Sequence, residues 1–329
     1  MPSNNLRKVE VLKLLLKIGI LSIAGIFTFY LIDFFNPYKN NEAETQYPAA
    51  IIDKQKRALS LPSPKIILVG GSNMAFGIDS KMISDSLKMP VVNLAMQYNV
   101  GSDFLLKQAK FDAKKGDIII ICFEYIIESE GLKYEKMAIA QYYPEAYNWI
   151  DYKYPLEKYI DLVNFKIGDV RRLSDRLLSK KHVEMSINDT EYVFFRKAFN
   201  EYGDLLSHFN NPPLKEIPFS LVGESLTLMP VIKDMNSFKT TMDKTNAKVF
   251  FSYPPMCQSS FVKNEKSIEK LANELKTNSK VVQINTPKSM AFSDSLFFDM
   301  AYHLNVNGRP IRTAKLINDL KLALKKEYK

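Results

Sequence analysis

The chain has 329 residues, of which 46% are hydrophobic, 25% charged and 12% aromatic, with a net charge of +9. That balance excludes a disordered or low-complexity chain and predicts one large folded domain or two modest ones. Two cysteines, Cys122 and Cys257, are too few for a disulfide scaffold or a four-cysteine zinc site. The positive charge is spread along Lys-rich amphipathic stretches, which argues for an envelope surface rather than a nucleic-acid groove.

Residues 11–35 read VLKLLLKIGILSIAGIFTFYLIDFF, and 18–32 carry no charge. As a helix this stretch is about 37 Å long, enough to cross a bilayer hydrocarbon core of roughly 30 Å. Arg7, Lys8, Lys13 and Lys17 precede or open the span, while Asp33, Glu42 and Glu44 follow it. The positive-inside rule then predicts a cytoplasmic tail over 1–10, a single-pass anchor over 11–35 and everything later outside the plasma (inner) membrane. The alternative, a cleaved signal peptide, lacks a small-residue cleavage site: the apolar run ends in LIDFFNPY. Residues 36–60 are polar and predict a stalk.

From residue 61 onward, short unbroken apolar runs alternate with helical patterns. The runs are 65–69 (KIILV), 91–94 (VVNL), 117–123 (DIIIICF), 248–252 (KVFFS) and 280–284 (KVVQI). Helical patterns cover 80–88, 102–115, 229–244, 261–277 and 309–326. Buried strands between helices predict an α/β fold: a three-layer, doubly wound sandwich around a mainly parallel five-stranded sheet. Residues 126–228 break the alternation and predict a large insertion at the carboxyl ends of the strands, where open α/β sheets bind ligands. Its first part holds Tyr134, Tyr142, Tyr143, Tyr147, Tyr152, Tyr154, Tyr159 and the only tryptophan, Trp149. Those rings fit either a small aromatic core or a platform for stacking on sugars.

Two segments carry chemistry. In Val69-Gly70-Gly71-Ser72-Asn73-Met74, glycines after a strand allow a tight turn that presents Ser72 at a helix start, where its own N–H faces a developing oxyanion. On its own this is a common turn, without the glycine spacing of a nucleotide-binding loop. In Asp299-Met300-Ala301-Tyr302-His303-Leu304-Asn305, an acid four residues before a histidine can fix its tautomer and leave Nε2 to take a proton from a serine. On its own, this too is commonly a surface turn.

Taken together, the two segments resemble the SGNH (GDSL-like) hydrolase superfamily. The matching residues are Gly70-Gly71-Ser72-Asn73 for the nucleophile and Asp299 with His303 for the acid–base pair. Val91-Val92-Asn93-Leu94-Ala95 followed by Gly101 resembles the block whose glycine N–H helps to bind the oxyanion. Asp-x-x-x-His-Leu-Asn-x-x-Gly looks like the branch serving acylation of envelope polysaccharide or teichoic acid, often beside a membrane-bound O-acyltransferase. The resemblance covers about 64–128 and 245–325 and departs at two places. Gly71 stands where that family has an aspartate, and Cys122-Phe123-Glu124-Tyr125 stands where it has an oxyanion-binding asparagine. An ionised Glu124 has no proton to donate, so Asn73 or Tyr125 is the expected substitute.

The resemblance therefore implies a membrane-anchored serine esterase or O-acyltransferase acting on an envelope glycan. Its triad is Ser72, His303 and Asp299, its oxyanion or substrate-binding residues are Gly101, Asn73 and Tyr125, and it implies neither cofactor nor metal. A non-catalytic subunit presenting glycan to a membrane-bound O-acyltransferase is the alternative. The remaining histidines are weaker candidates: His208 reads as structural and His182, in a basic run, as part of a solvated face.

Overall fold

The computed structural model describes residues 4–35, 43–178 and 193–327. The expectations for 36–42 of the stalk and for His182 fall outside the described residues. The chain divides into two compact units, Met1–Ala43 with Tyr152–Ser186, and Glu44–Asp151 with Ile187–Lys329.

In the first unit, α1 (Asn4–Phe34) touches α7 (Pro155–Leu178). Over Lys8–Ile32, α1 is long and apolar enough to cross a membrane. α7 buries Phe165 and leaves Leu156, Tyr159, Ile160, Val163 and Ile167 exposed along one stripe. The insertion is therefore not a single cap, since 152–178 fold with α1.

The second unit is an α/β domain. Its central sheet has the order β2-β1-β3-β4-β6, every pair parallel. The strands are β1 (Ile66–Gly70), β2 (Val91–Asn93), β3 (Ile118–Cys122), β4 (Lys248–Phe251) and β6 (Val282–Gln283). Each coincides with one of the apolar runs, because strands buried on both faces have no polar face to show. In the first three, every residue is buried. The helices around them are α3 (Ser72–Gly77), α4 (Ser80–Leu87), α5 (Gly101–Asp112), α8 (Met229–Asp243), α9 (Gln258–Asn278) and α10 (Gly308–Glu327), with α6 (Lys133–Ala140) in the insertion. A small parallel pair, β5 (Met256–Cys257) and β7 (Ala291–Phe292), was not expected.

Two expectations are corrected. The segment 44–60 is not a stalk: α2 (Ala50–Ser60) packs on β2 and α5, with Ala50, Ile51 and Ala58 buried. Its Lys54 is also buried and donates to the carbonyls of Asn93 at 2.9 Å and Gly203 at 2.6 Å, and burial pushes its ammonium down to about 7. Nor is Trp149 a sugar platform. It is buried against Phe104, Phe111 and Tyr143, with ring centroids 5.5–5.8 Å away.

The sheet order reverses direction between β1 and β3, the switch point where α/β sheets open a crevice at their carboxyl edge. The opposite edge is locked by Lys65 and Asp117, which are fully buried with Nζ–Oδ2 at 3.2 Å, and by the Lys65 N–H donating to Oδ1 at 2.9 Å.

Asp112, at the end of α5, is buried with neither carboxyl oxygen hydrogen-bonded among the described residues, and burial raises its pKa from 3.8 to about 7. Between those values the folded chain holds a proton that the unfolded chain has lost, so this group lowers stability as pH rises through that window. Asp112→Asn should melt with the wild type at pH below the window and about a few degrees higher above it. Identical melting temperatures at pH 8 would contradict this.

Candidate active site

Ser72 follows β1 after the single residue Gly71 and opens α3, all six residues of which are buried. As the first helical residue, its N–H has no intrahelical acceptor. Its hydroxyl lies 2.7 Å from Nε2 of His303, and Nδ1 of His303 lies 2.8 Å from Oδ1 of Asp299. The Asp299 carboxylate can only accept, so Nδ1 carries the proton and Nε2 accepts the Ser72 O–H. The three residues expected from sequence are thus joined in one hydrogen-bonded line across 231 positions of chain.

The imidazole is held on its face as well as its edges. The Phe76 ring stacks on it at 3.9 Å with an interplanar angle of 4°. The loop carrying it is closed by Asn305, whose amide donates to the carbonyls of Ser295 and Phe297 and accepts from the N–H groups of Asn307 and Gly308. The Phe298 N–H, donating to the His303 carbonyl at 2.8 Å, completes the loop.

Behind the serine, every polar group of Asn73 is occupied. Its N–H donates to Glu124 Oε1 at 2.9 Å and its Nδ2 to the Cys122 carbonyl at 3.1 Å. Its carbonyl accepts from Arg312 Nη1 at 2.6 Å, and its Oδ1 accepts from Arg312 Nη2 at 2.9 Å and from the Cys122 thiol at 3.1 Å. The Asn73 side chain therefore anchors the turn and is not free to hold substrate.

The Gly101 N–H closes a turn onto the Tyr98 carbonyl. Its φ of +83° and the Ser129 carbonyl, which would lie 2.5 Å from an added Cβ, account for the glycine. Tyr125 is buried with its ring 6.5 Å from those of Tyr253 and Tyr302, and its hydroxyl has no hydrogen-bond partner among the described residues. The Ser72 N–H, first in its helix, has no intrahelical acceptor, whereas the Gly101 N–H is engaged by Tyr98.

Both cysteines are free and buried. Burial pushes the Cys122 thiol up to about 12, so it is a neutral donor, not a nucleophile. The His208 ring lies tilted against Phe76, with centroids 4.7 Å apart, and shares a hydrogen bond with the Leu304 carbonyl. Burial lowers its pKa to about 4, so it stays neutral and structural. Among the described residues, no group of three or more His, Cys, Asp or Glu side chains could hold a metal ion.

Sequence reasoning missed three residues that build the site. Arg312 is fully buried in α10 and grips Asn73. Asp204, also fully buried, accepts from the Ser80 N–H and Arg309 Nη2 through Oδ2, and from Ser80 Oγ and Asn93 Nδ2 through Oδ1. That network pins the end of the insertion to the site, where Phe194 reaches within 6.3 Å of the His303 ring. Glu124 is the third. Only the three-dimensional neighbourhood identifies these roles, since each partner lies far away in sequence.

No family model and no curated protein matches this chain.

Arg312→Lys should destabilise the fold by roughly 1.5–3 kcal/mol, because an ammonium on a shorter stem cannot reproduce the planar fork to the Asn73 carbonyl and Oδ1, so at least one charge-assisted bond is lost. A thermal melt checks this, and an unshifted midpoint would contradict it.

Proposed function

We propose that the chain is a serine acyl-transfer enzyme of the SGNH-hydrolase type, an esterase or O-acyltransferase held at a membrane by α1. The observation that carries this reading is the Ser72–His303–Asp299 line, with both contacts under 3 Å, at the carboxyl edge of the sheet's switch point.

In this reaction Ser72 Oγ attacks an ester carbonyl carbon while its proton passes to His303 Nε2. The Asp299 carboxylate holds Nδ1–H and stabilises the imidazolium. The Ser72 N–H donates to the carbonyl oxygen as it becomes an oxyanion. Collapse breaks the ester C–O bond, the leaving alcohol takes the proton from Nε2, and an acyl-serine remains. Water or a sugar hydroxyl then gives its proton to Nε2, attacks the acyl carbon and restores Ser72. The resemblance to envelope-acylating proteins favours a glycan as acceptor or substrate. A span with basic residues before it favours an extracytoplasmic site on the plasma (inner) membrane.

A second reading has one observation in its favour. The Gly101 N–H and the donors of Asn73 are spent on protein acceptors, which suits a non-catalytic subunit that holds glycan beside a membrane-bound O-acyltransferase.

The two readings separate on p-nitrophenyl acetate with the full-length chain in detergent micelles. The enzyme reading expects p-nitrophenol release above the blank, lost by about 10³-fold or more in Ser72→Ala and His303→Ala. Wild-type release equal to that of Ser72→Ala would favour the subunit.

A further inference from the structure

Gly71 is not a glycine for the sake of its backbone. Its φ of −84° and ψ of −160° are extended values open to any residue. What excludes a side chain is Glu124, because a Cβ on Gly71 would overlap the carboxyl group, 2.5 Å from Oε1 and closer still to Oε2. Position 71 is also the N-cap of α3, where an aspartate would ordinarily accept a hydrogen bond from an N–H of the first turn. Gly71 has no group to do so. The bond is made instead by Glu124 Oε1, which accepts the Asn73 N–H from 51 residues further along the chain.

We propose that Glu124 is a positioning residue for the nucleophile, supplying from the loop after β3 the helix-capping carboxyl that position 71 lacks and so fixing the turn that aims Ser72 at His303. The inference rests on the reading of Ser72 as nucleophile. It also explains the geometry better than stability alone does. A local cap at 71 would satisfy the same N–H without burying a carboxyl whose Oε2 has no partner among the described residues, a costly arrangement. The cap from Glu124 does one thing a local cap would not: it ties the turn after β1 to the turn after β3, so the two walls of the switch point move together.

Burial raises the pKa of the Glu124 carboxyl. In its neutral form Oε1 still accepts from Asn73, with the proton on Oε2. The arrangement therefore needs an acceptor at this place rather than a charge, and glutamine should serve nearly as well.

The test uses full-length protein in micelles with two readouts, the acylation burst on p-nitrophenyl acetate and amide hydrogen exchange of a peptide spanning Ser72–Gly77. Glu124→Ala should slow acylation by about tenfold or more through misplacement of the serine, with KM little changed, and should speed exchange at Asn73. Glu124→Gln should lose no more than about threefold on the same argument. Gly71→Asp alone should collide with Glu124 and lose activity. Gly71→Asp with Glu124→Ala should recover much of both the burst and the protection, because the new carboxyl enters the vacated volume as a local cap.

Wild-type acylation and exchange in Glu124→Ala would overturn the proposal. So would a folded double variant no better than Glu124→Ala. If Glu124→Ala does not fold, Glu124→Gln and the double variant decide the matter alone. If wild-type protein shows no burst, the enzymatic reading fails while the exchange comparison still decides whether Glu124 caps the turn.

Discussion

The site depends on the immobility of Asn73. Its N–H, carbonyl and amide are held by Glu124, Cys122 and Arg312, which come from the end of β3, the turn after it and the last helix. Serine hydroxyls turn freely about Cβ, so a serine nucleophile is only as well aimed as the backbone beneath it. Here the residue after the serine has no spare hydrogen-bonding group and no solvent exposure. Such a turn is pre-organised, and its ordering entropy is spent in folding rather than in each reaction cycle.

The partner side is built on the same plan with different means. His303 sits on a loop with little regular structure, and loops are ordinarily mobile. Three devices oppose that mobility: the carboxylate of Asp299 at Nδ1, the face-on ring of Phe76, and Asn305 bridging the loop to the start of α10. Phe76 belongs to α3, the helix that Ser72 opens, so Ser72 and His303 are registered through one short buried segment. The buried carboxylate of Asp204 then joins the insertion to α4, β2 and α10, and Phe194 of the same insertion lies tilted beside the imidazole.

The inner strands of the central sheet were legible because a parallel strand covered on both faces must be apolar throughout, and few other elements read that way; β6, at the edge with Val282 exposed, was read from the same pattern. Ser72, Asp299 and His303 were legible only in combination: a turn after a strand and an acid one helical turn from a histidine are each common alone, and the resemblance of the two together singled them out. The α2 helix was not legible, because its buried face includes Lys54 and Gln55 among Ala50, Ile51 and Ala58, which disguises an amphipathic helix as a polar linker. How Gly101 and Asn73 use their donors was hidden in the sequence for a related reason. Residue type reveals a capacity to donate, but only the fold shows that the Gly101 N–H goes to Tyr98 and the Asn73 amide to Cys122. Gly71 and Glu124 looked like two independent departures in the sequence, and in space they occupy a single volume.

The account stands or falls on whether Ser72 is an activated nucleophile. The most direct measurement is intact mass of the full-length protein after exposure to a fluorophosphonate, followed by peptide mapping of the adduct. The account predicts one phosphonyl group per chain, carried by Ser72 and absent when His303 is replaced by alanine. A folded protein that takes up no phosphonate, or takes it up at another serine with Ser72 unmodified, would contradict it.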